Sequence, residues 1–115
     1  MAKQDPPKLL AGDGIELLPE AVEAAPAEAA VCVFHSYTVN QFPPEARERF
    51  RAVLAQQAAS KEQFYHLSAE WLGSPQPELE LTLFRNGQPD HYLLASCEAH
   101  GRWIEWLDDT ILNTV

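Results

Sequence analysis

The spacing of apolar and polar residues changes from segment to segment along the chain. Residues 30–34 form a short, continuous apolar run, which predicts a strand buried on both faces, as in a parallel sheet. Apolar residues at helical spacing then predict a helix that begins with Pro44 in its first turn and extends to about residue 58. Residues 64–69 predict the next strand. A strand, a helix and a strand in this order predict a βαβ unit.

After residue 77 the apolar period becomes two, which predicts a strand with one buried face over 79–84. The Asn86-Gly87 pair predicts a tight hairpin, because a type I′ turn needs positive φ at both central residues. The returning strand is predicted over 91–97, and residues 102–107 form either a third antiparallel strand or the tail of the second. The predicted fold class is therefore α/β: a mixed sheet in which a βαβ unit is followed by an antiparallel hairpin, with helices packed on the sheet.

The segment before the βαβ unit has a less regular pattern. Residues 8–11 are apolar enough to predict a four-residue strand. Asp13 is placed to cap a helix, and a contact with a ligand is its alternative role. Pro19 falls inside the apolar helical pattern that follows, and proline fits best in the first turn of a helix. We therefore expect a loose turn at 14–18 and a helix over about 19–25.

Composition and charge limit the function classes. The chain has 115 residues, with 17 acidic and 8 basic side chains and a formal charge of −9, which argues against binding to nucleic acid or to an anionic membrane. No apolar run is long enough to span a membrane, and the start lacks the apolar core of a signal peptide, so we expect a cytoplasmic protein. We expect residues 1–7 to be a disordered lead-in, 8–107 a single domain and 108–115 a frayed tail.

The strongest candidate chemistry follows the first strand of the βαβ unit. His35, Ser36 and Tyr37 form a polar triplet at the end of an apolar strand, where sites of α/β proteins commonly lie, and His35 is a candidate general base. The alternative is that these groups only cap the end of the sheet. Glu70, after the next strand, is either an acid–base group or a solvated loop acid. The four histidines lack the spacing of a metal motif, so no metal site is predicted.

Five ordered stretches of the sequence resemble an uncharacterised bacterial family. They are GDGIELLP at 12–19, VFHSY at 33–37, FPPEARERF at 42–50, LSAE at 67–70 and HGRWIEWL at 100–107. On these stretches, residues 10–107 resemble the C-terminal part of domain-of-unknown-function family 2332.

The layout is also similar to the second half of a class I S-adenosylmethionine-dependent methyltransferase. This resemblance implies a partial Rossmann-like sheet. It implies that Gly12, Asp13 and Ser36 contact the cofactor, with Asp13 at the adenine, and that His35 and Tyr37 face the methyl donor and the substrate as the catalytic residues.

The chain departs from the methyltransferase pattern in lacking its glycine-rich loop and the acidic residue for the ribose. We therefore expect no cofactor for the isolated chain, S-adenosylmethionine being possible only with a complementary chain that carries the N-terminal half. The strand at 31–34 would then be an exposed apolar edge, which predicts a homodimer or pairing with that complementary chain.

Two functions are compatible with these features. The first is a methyltransferase-like half-domain that is inactive alone. The second is a non-catalytic assembly domain that forms a homodimer through its sheet edge, with Trp103 or Trp106 at an interface.

Overall fold

The fold is a five-stranded mixed sheet with two helices, as seen in a computed structural model that describes residues 9–107. The helices are α1 (Gly14–Glu23) and α2 (Pro44–Ala59), and a 3₁₀ turn spans Val39–Gln41. The strands are β1 (Val31–Ser36), β2 (Gln63–Glu70), β3 (Glu78–Arg85), β4 (Gln88–Cys97) and β5 (Ile104–Trp106). Within these residues, neither helix has the length and apolar content needed to cross a lipid bilayer.

The strands lie in the order β1-β2-β3-β4-β5. β1 and β2 are parallel and are connected through α2, whereas the three remaining pairs are antiparallel. The predicted βαβ unit and the hairpin that follows it are thus confirmed. Asn86 and Gly87 have φ angles of 51° and 80°, as the predicted turn requires, and β5 is a separate third antiparallel strand.

Both helices pack on one face of the sheet, which we call the helix-covered face. Val22 of α1 and Leu54 and Ala58 of α2 contact Phe64 of β2 in a buried cluster. Register places Val31, Val33 and His35 of β1 on this face, in line with Phe64, His66 and Ser68 of β2. The opposite face carries a second apolar cluster around Leu83, Leu94 and Ala95.

Three local predictions were wrong. Residues 9–13 form no strand, and Leu9 is 89% exposed. Helix α1 begins at Gly14 rather than near 19, and Pro19 lies inside it. The reason is that Asp13 caps this start with its side chain, and Ile15 and Val22 are both buried, which compensates for the hydrogen bond that Pro19 cannot make.

The third correction concerns β1, which is not buried on both faces. Its side chains alternate, with Cys32 and Phe34 exposed and their neighbours partly buried. This follows from its position: both helices cover only one face, and β1 lies at the edge of the sheet. The predicted lead-in at 1–7 and the tail at 108–115 lie outside the described residues.

Candidate functional site

Polar side chains cluster where the parallel strands β1 and β2 end. His35 of β1 pairs in register with Ser68 of β2, and His66 and Glu70 are the neighbours of Ser68 on the same face of β2. All four lie on the helix-covered face, which farther back along these strands is apolar. The carboxyl ends of parallel strands are where ligands of open α/β sheets bind.

The imidazole ring of His35 contacts two side chains of β2, one through each ring nitrogen. Its Nδ1 atom is 2.6 Å from Oε2 of Glu70, and its Nε2 atom is 2.6 Å from Nε2 of His66. Ser68 lies between these two partners along β2 and directly opposite His35. The small serine side chain therefore leaves room for the imidazole ring to cross over it.

Glu70 is held as a carboxylate by the turn that follows β1. Backbone N–H groups of Thr38 and Asn40 donate to its Oε2 and Oε1 atoms, each at 3.1 Å. Burial alone would raise the pKa of Glu70, but hydrogen bonds from His35 and from these backbone groups hold the pKa below its usual value. Because a carboxylate only accepts hydrogen bonds, His35 donates its Nδ1–H to Glu70.

The turn itself depends on an unusual backbone conformation. Tyr37 has a φ of 52°, in the left-handed region that non-glycine residues rarely adopt. This conformation redirects the chain from β1 into the 3₁₀ turn that supplies the N–H groups to Glu70. Such strain persists where the surrounding contacts fix it, and here Gln41 donates a hydrogen bond back to the Tyr37 carbonyl at 3.0 Å.

His66 is the neutral member of the cluster. Burial, followed by the charges of His35 and His91, lowers the pKa of His66 to about 4, although Glu70 opposes the shift. Phe50 of α2 packs edge-on against both imidazole rings, with centroid distances of 5.3 Å to His35 and 5.9 Å to His66. Since two lone pairs facing each other would repel, one proton lies between the two Nε2 atoms.

A pocket of about 260 Å³ lies between α2 and this polar floor. His35, His66 and Ser68 contribute to its floor, together with Thr82, whose hydroxyl is 2.9 Å from Nδ1 of His91. The apolar part of its lining is Val39, Phe50, Leu54, Leu72 and Phe84. The charged part is Arg47, Arg51 and Glu80. The arrangement can hold a small molecule against an imidazole that a buried carboxylate orients.

Of the residues predicted from the sequence, the structure places only His35 in the pocket lining. Ser36 is adjacent to His35, but its position on β1 directs it to the opposite face. The Tyr37 hydroxyl donates to the carbonyl of Ala99 at 3.5 Å, between β4 and β5. Gly12 and Asp13 lie at the start of α1 and are exposed.

Asp13 caps the N-terminus of helix α1, which is one of the two roles predicted for it. Its Oδ1 atom accepts from the N–H groups of Ile15 and Glu16 at 2.8 and 3.2 Å, and its Oδ2 atom lies 3.3 Å from Arg49. These hydrogen bonds lower the pKa of Asp13. The predicted cofactor contacts of Gly12, Asp13 and Ser36 and the predicted catalytic role of Tyr37 stay predictions.

Sequence reasoning underrated or missed three members of the cluster. Glu70 was predicted to be either an acid–base group or a solvated loop acid after the strand, and the second alternative is wrong, because Glu70 belongs to β2 and is 3% exposed. His66 and Ser68 were not proposed as site residues. Residues 66, 68 and 70 are spaced two apart, however, and this spacing places them on one face of a strand. Within residues 9–107, no group of three or more His, Cys, Asp and Glu side chains is arranged to hold a metal ion.

Comparison with known proteins gives a family. A family model described as "Uncharacterized protein conserved in bacteria (DUF2332)" matches residues 1–106, which include the pocket and every helix and strand described above. No curated protein and no solved structure matches the chain. The chain therefore belongs to domain-of-unknown-function family 2332.

Proposed function

We propose that the pocket is a proton-accepting site in which His35 acts as the general base toward a small-molecule substrate. The observation that carries this proposal is the hydrogen-bonded chain from Glu70 through His35 to His66 on the pocket floor. A base needs a fixed tautomer and a partner that stabilises its charged form. Glu70 supplies both, because it accepts the Nδ1–H of His35 and leaves Nε2 to take up the substrate's proton.

His66 has a second role in this proposal. It occupies the hydrogen-bonding position at Nε2 of His35 that a substrate hydroxyl or amine would take. Because burial lowers the pKa of His66 to about 4, His66 is neutral at pH 7 and donates its Nε2–H to Nε2 of His35. A substrate that enters the pocket exchanges with His66 and then donates its proton to Nε2.

The tautomer of His35 tests this chemistry directly. Long-range ¹H–¹⁵N spectra of the full chain at pH 7 should show His35 protonated at Nδ1. In Glu70→Gln the amide no longer acts as a charged acceptor, so the proton is expected to redistribute toward Nε2. His100→Gln, which changes an exposed turn residue, is the matched control and should leave the His35 signals unchanged. A wild-type His35 protonated only at Nε2 would refute the proposed role.

The reaction class proposed for this base is methyl transfer, on the strength of the methyltransferase resemblance. Support comes from the position of His35 at the carboxyl end of β1. The residues assigned to S-adenosylmethionine fit less well, because Gly12, Asp13 and Ser36 do not line the pocket and Asp13 is engaged by the α1 N-terminus and Arg49. We therefore propose that any donor site needs a complementary chain, and no step is drawn through the cofactor.

Ligand-dependent melting tests this second part. If the resemblance holds, S-adenosylmethionine raises the melting temperature when a complementary chain is present, and Asp13→Ala abolishes the increase. Arg49→Gln removes the neighbouring charge but keeps the cap, and it should retain most of the increase. The methyltransferase proposal fails if the cofactor produces no shift and no S-adenosylhomocysteine forms under any of these conditions.

A second candidate function is assembly through the outer edge of β1. Among the described residues β1 pairs only with β2, and Phe34 on this strand is 59% exposed. An unpaired apolar edge is a template for a strand of another chain. We propose a second copy as its partner.

A further inference from the structure

Arg47 lines the pocket and has no counter-charge among the described residues. It is partly buried, and its Nε and Nη2 atoms donate to the carbonyls of Val39 and Asn40 at 3.2 and 3.1 Å. These bonds use two of the five N–H donors of a guanidinium. Nearby on α2, Arg49 pairs with Asp13 and Arg51 with Glu48, whereas Arg47 forms no ion pair within residues 9–107.

This arrangement is unusual for a chain with a formal charge of −9. Carboxylates outnumber basic groups by about two to one, yet none of the described ones contacts Arg47. A partly desolvated charge without a counter-charge costs free energy, and buried charges are normally paired. A cation at a pocket without a counter-charge among the described residues is suited to bind an anionic ligand.

A second, independent observation comes from the floor of the same pocket. Ser68 lines the pocket, and its hydroxyl, which solvent can reach, forms no hydrogen bond with another described residue. The free hydroxyl and the free guanidinium N–H groups together provide hydrogen-bond donors without acceptors, which suits an oxyanion.

We propose that the pocket binds a small organic oxyanion, a carboxylate or phosphate group on a compact apolar body. The oxyanion pairs with Arg47, and the apolar body packs against Phe50 and Leu54. The volume of about 260 Å³ lies just below the usual range for small-molecule sites, which restricts the ligand to a small metabolite. This inference rests on the proposed function in one respect: it names the chemical class of the substrate on which His35 acts. Binding of the oxyanion itself does not require that His35 act as a base.

The remaining charges around the pocket make the proposal specific. Glu70 is a carboxylate outside the pocket lining whose oxygens accept hydrogen bonds from His35, Thr38 and Asn40. Arg51, a second cation of the lining, pairs with Glu48. Glu80 is the opposing group, since it lines the pocket, is exposed and repels an anion. Glu80→Gln is therefore expected to strengthen oxyanion binding.

Calorimetric titration of the full chain with four matched probes tests the inference. Phenylacetate and phenyl phosphate carry the oxyanion, and benzyl alcohol and benzylamine carry the same ring without it. We expect the two anions to bind about tenfold or more tightly than the alcohol or the amine, as a charge-assisted hydrogen bond provides. A difference between carboxylate and phosphate identifies the head group. Equal binding of alcohol and anions, or no binding of either anion in the millimolar range, overturns the proposal.

Variants on one helix provide the matched control. Arg47→Gln is expected to weaken anion binding about tenfold or more, whereas Arg49→Gln, with the same change in net charge outside the pocket, leaves it unchanged. Equal loss in both variants would show a general charge effect and would contradict the proposal. If Arg47→Gln does not fold, Arg47→Lys keeps the charge, and the four-probe comparison on the wild type still decides.

The proposed base and the proposed ligand class can fail separately. His35→Gln removes the base but leaves Arg47 and Ser68 in place, so it should still bind the anionic probe. Retained binding combined with the wrong tautomer of His35 in the wild type would refute the catalytic role alone. Absent binding combined with the expected tautomer would refute the ligand class alone.

Discussion

At the residue scale, His66 makes the fold sensitive to acid. Its pKa is about 4 in the folded chain and near 6.5 when unfolded, so the unfolded chain binds more protons between these values. The stability from burying a neutral His66 is fully present above pH 6.5 and is lost as pH falls toward 4. Glu70, whose pKa is lowered, loses its contribution as pH falls below its unfolded value of 4.5. We expect urea unfolding to show a decrease on the order of 2–3 kcal/mol between pH 7 and pH 4.

The slope of the free energy of unfolding against pH, rather than its absolute value, identifies His66 as the titrating group. His66→Gln removes the titrating imidazole and should flatten the dependence between pH 6.5 and 4.5, even if this variant is less stable throughout. His100→Gln, at an exposed turn, should keep the wild-type slope. An unchanged slope in His66→Gln would assign the acid sensitivity to other groups.

A second prediction at the residue scale concerns the size of the side chain at position 68. The His35 ring crosses over Ser68 between Glu70 and His66, so a larger side chain there must displace it. Ser68→Leu should cost about 1–3 kcal/mol through overpacking, and the Nδ1–H signal of His35 should disappear. Ser68→Ala, which keeps the space, should retain that signal. Loss of the signal in both variants would contradict a purely steric role.

The site was only partly predictable from sequence because its members are far apart in the chain. His35 follows an abrupt change from apolar to polar residues, a signal that one segment carries alone. The contacts of His35 with Glu70 and His66 depend on the register between β1 and β2, which are separated by α2. The alternation of each strand excludes a register shift of one residue, which would reverse the faces, but it does not distinguish registers that differ by two residues.

At the scale of elements, Asp13 determines where α1 begins. Its carboxylate satisfies the N–H groups of Ile15 and Glu16, which have no intrahelical partner. Asp13→Ala should reduce the free energy of unfolding by about 1 kcal/mol, measured by denaturant titration. Asp13→Asn keeps a capping oxygen and should cost less, since the exposed ion pair with Arg49 contributes little. Equal losses in the two variants would show that charge, rather than capping, is responsible.

The same helix shows how local rules compete. The prediction that α1 begins near residue 19 gave Pro19 more weight than the cap. Pro19 removes one helical hydrogen bond, whereas Asp13 satisfies two backbone N–H groups and the helix buries Ile15 and Val22. The hairpin was predicted correctly because Asn86 and Gly87 determine it within two residues. For β1, the apolar run indicated a strand correctly, but how many of its faces are covered depends on where both helices pack.

At the scale of the whole molecule, the order of elements was enough to predict a mixed α/β sheet. Strand, helix and strand imply a parallel pair, and short turns imply antiparallel neighbours. The sequence did not reveal that both helices share one face, because each helix pattern specifies only its own buried side. That shared packing leaves the opposite side of β1 uncovered and exposes Phe34, which bears on assembly.

The open edge of β1 predicts concentration-dependent dimerisation. Sedimentation velocity at increasing protein concentration should show a dimer, and added salt should favour it, because two chains of charge −9 repel each other and salt screens that repulsion. Phe34→Lys places a charge on the exposed edge strand, as natural edge strands often do, and should shift the equilibrium to monomer. Leu9→Lys makes the same charge change at an exposed site outside the sheet and should have no effect. A wild type that stays monomeric at high concentration and high salt would rule out a second copy at this edge and leave a different chain as the partner that β1 could pair with.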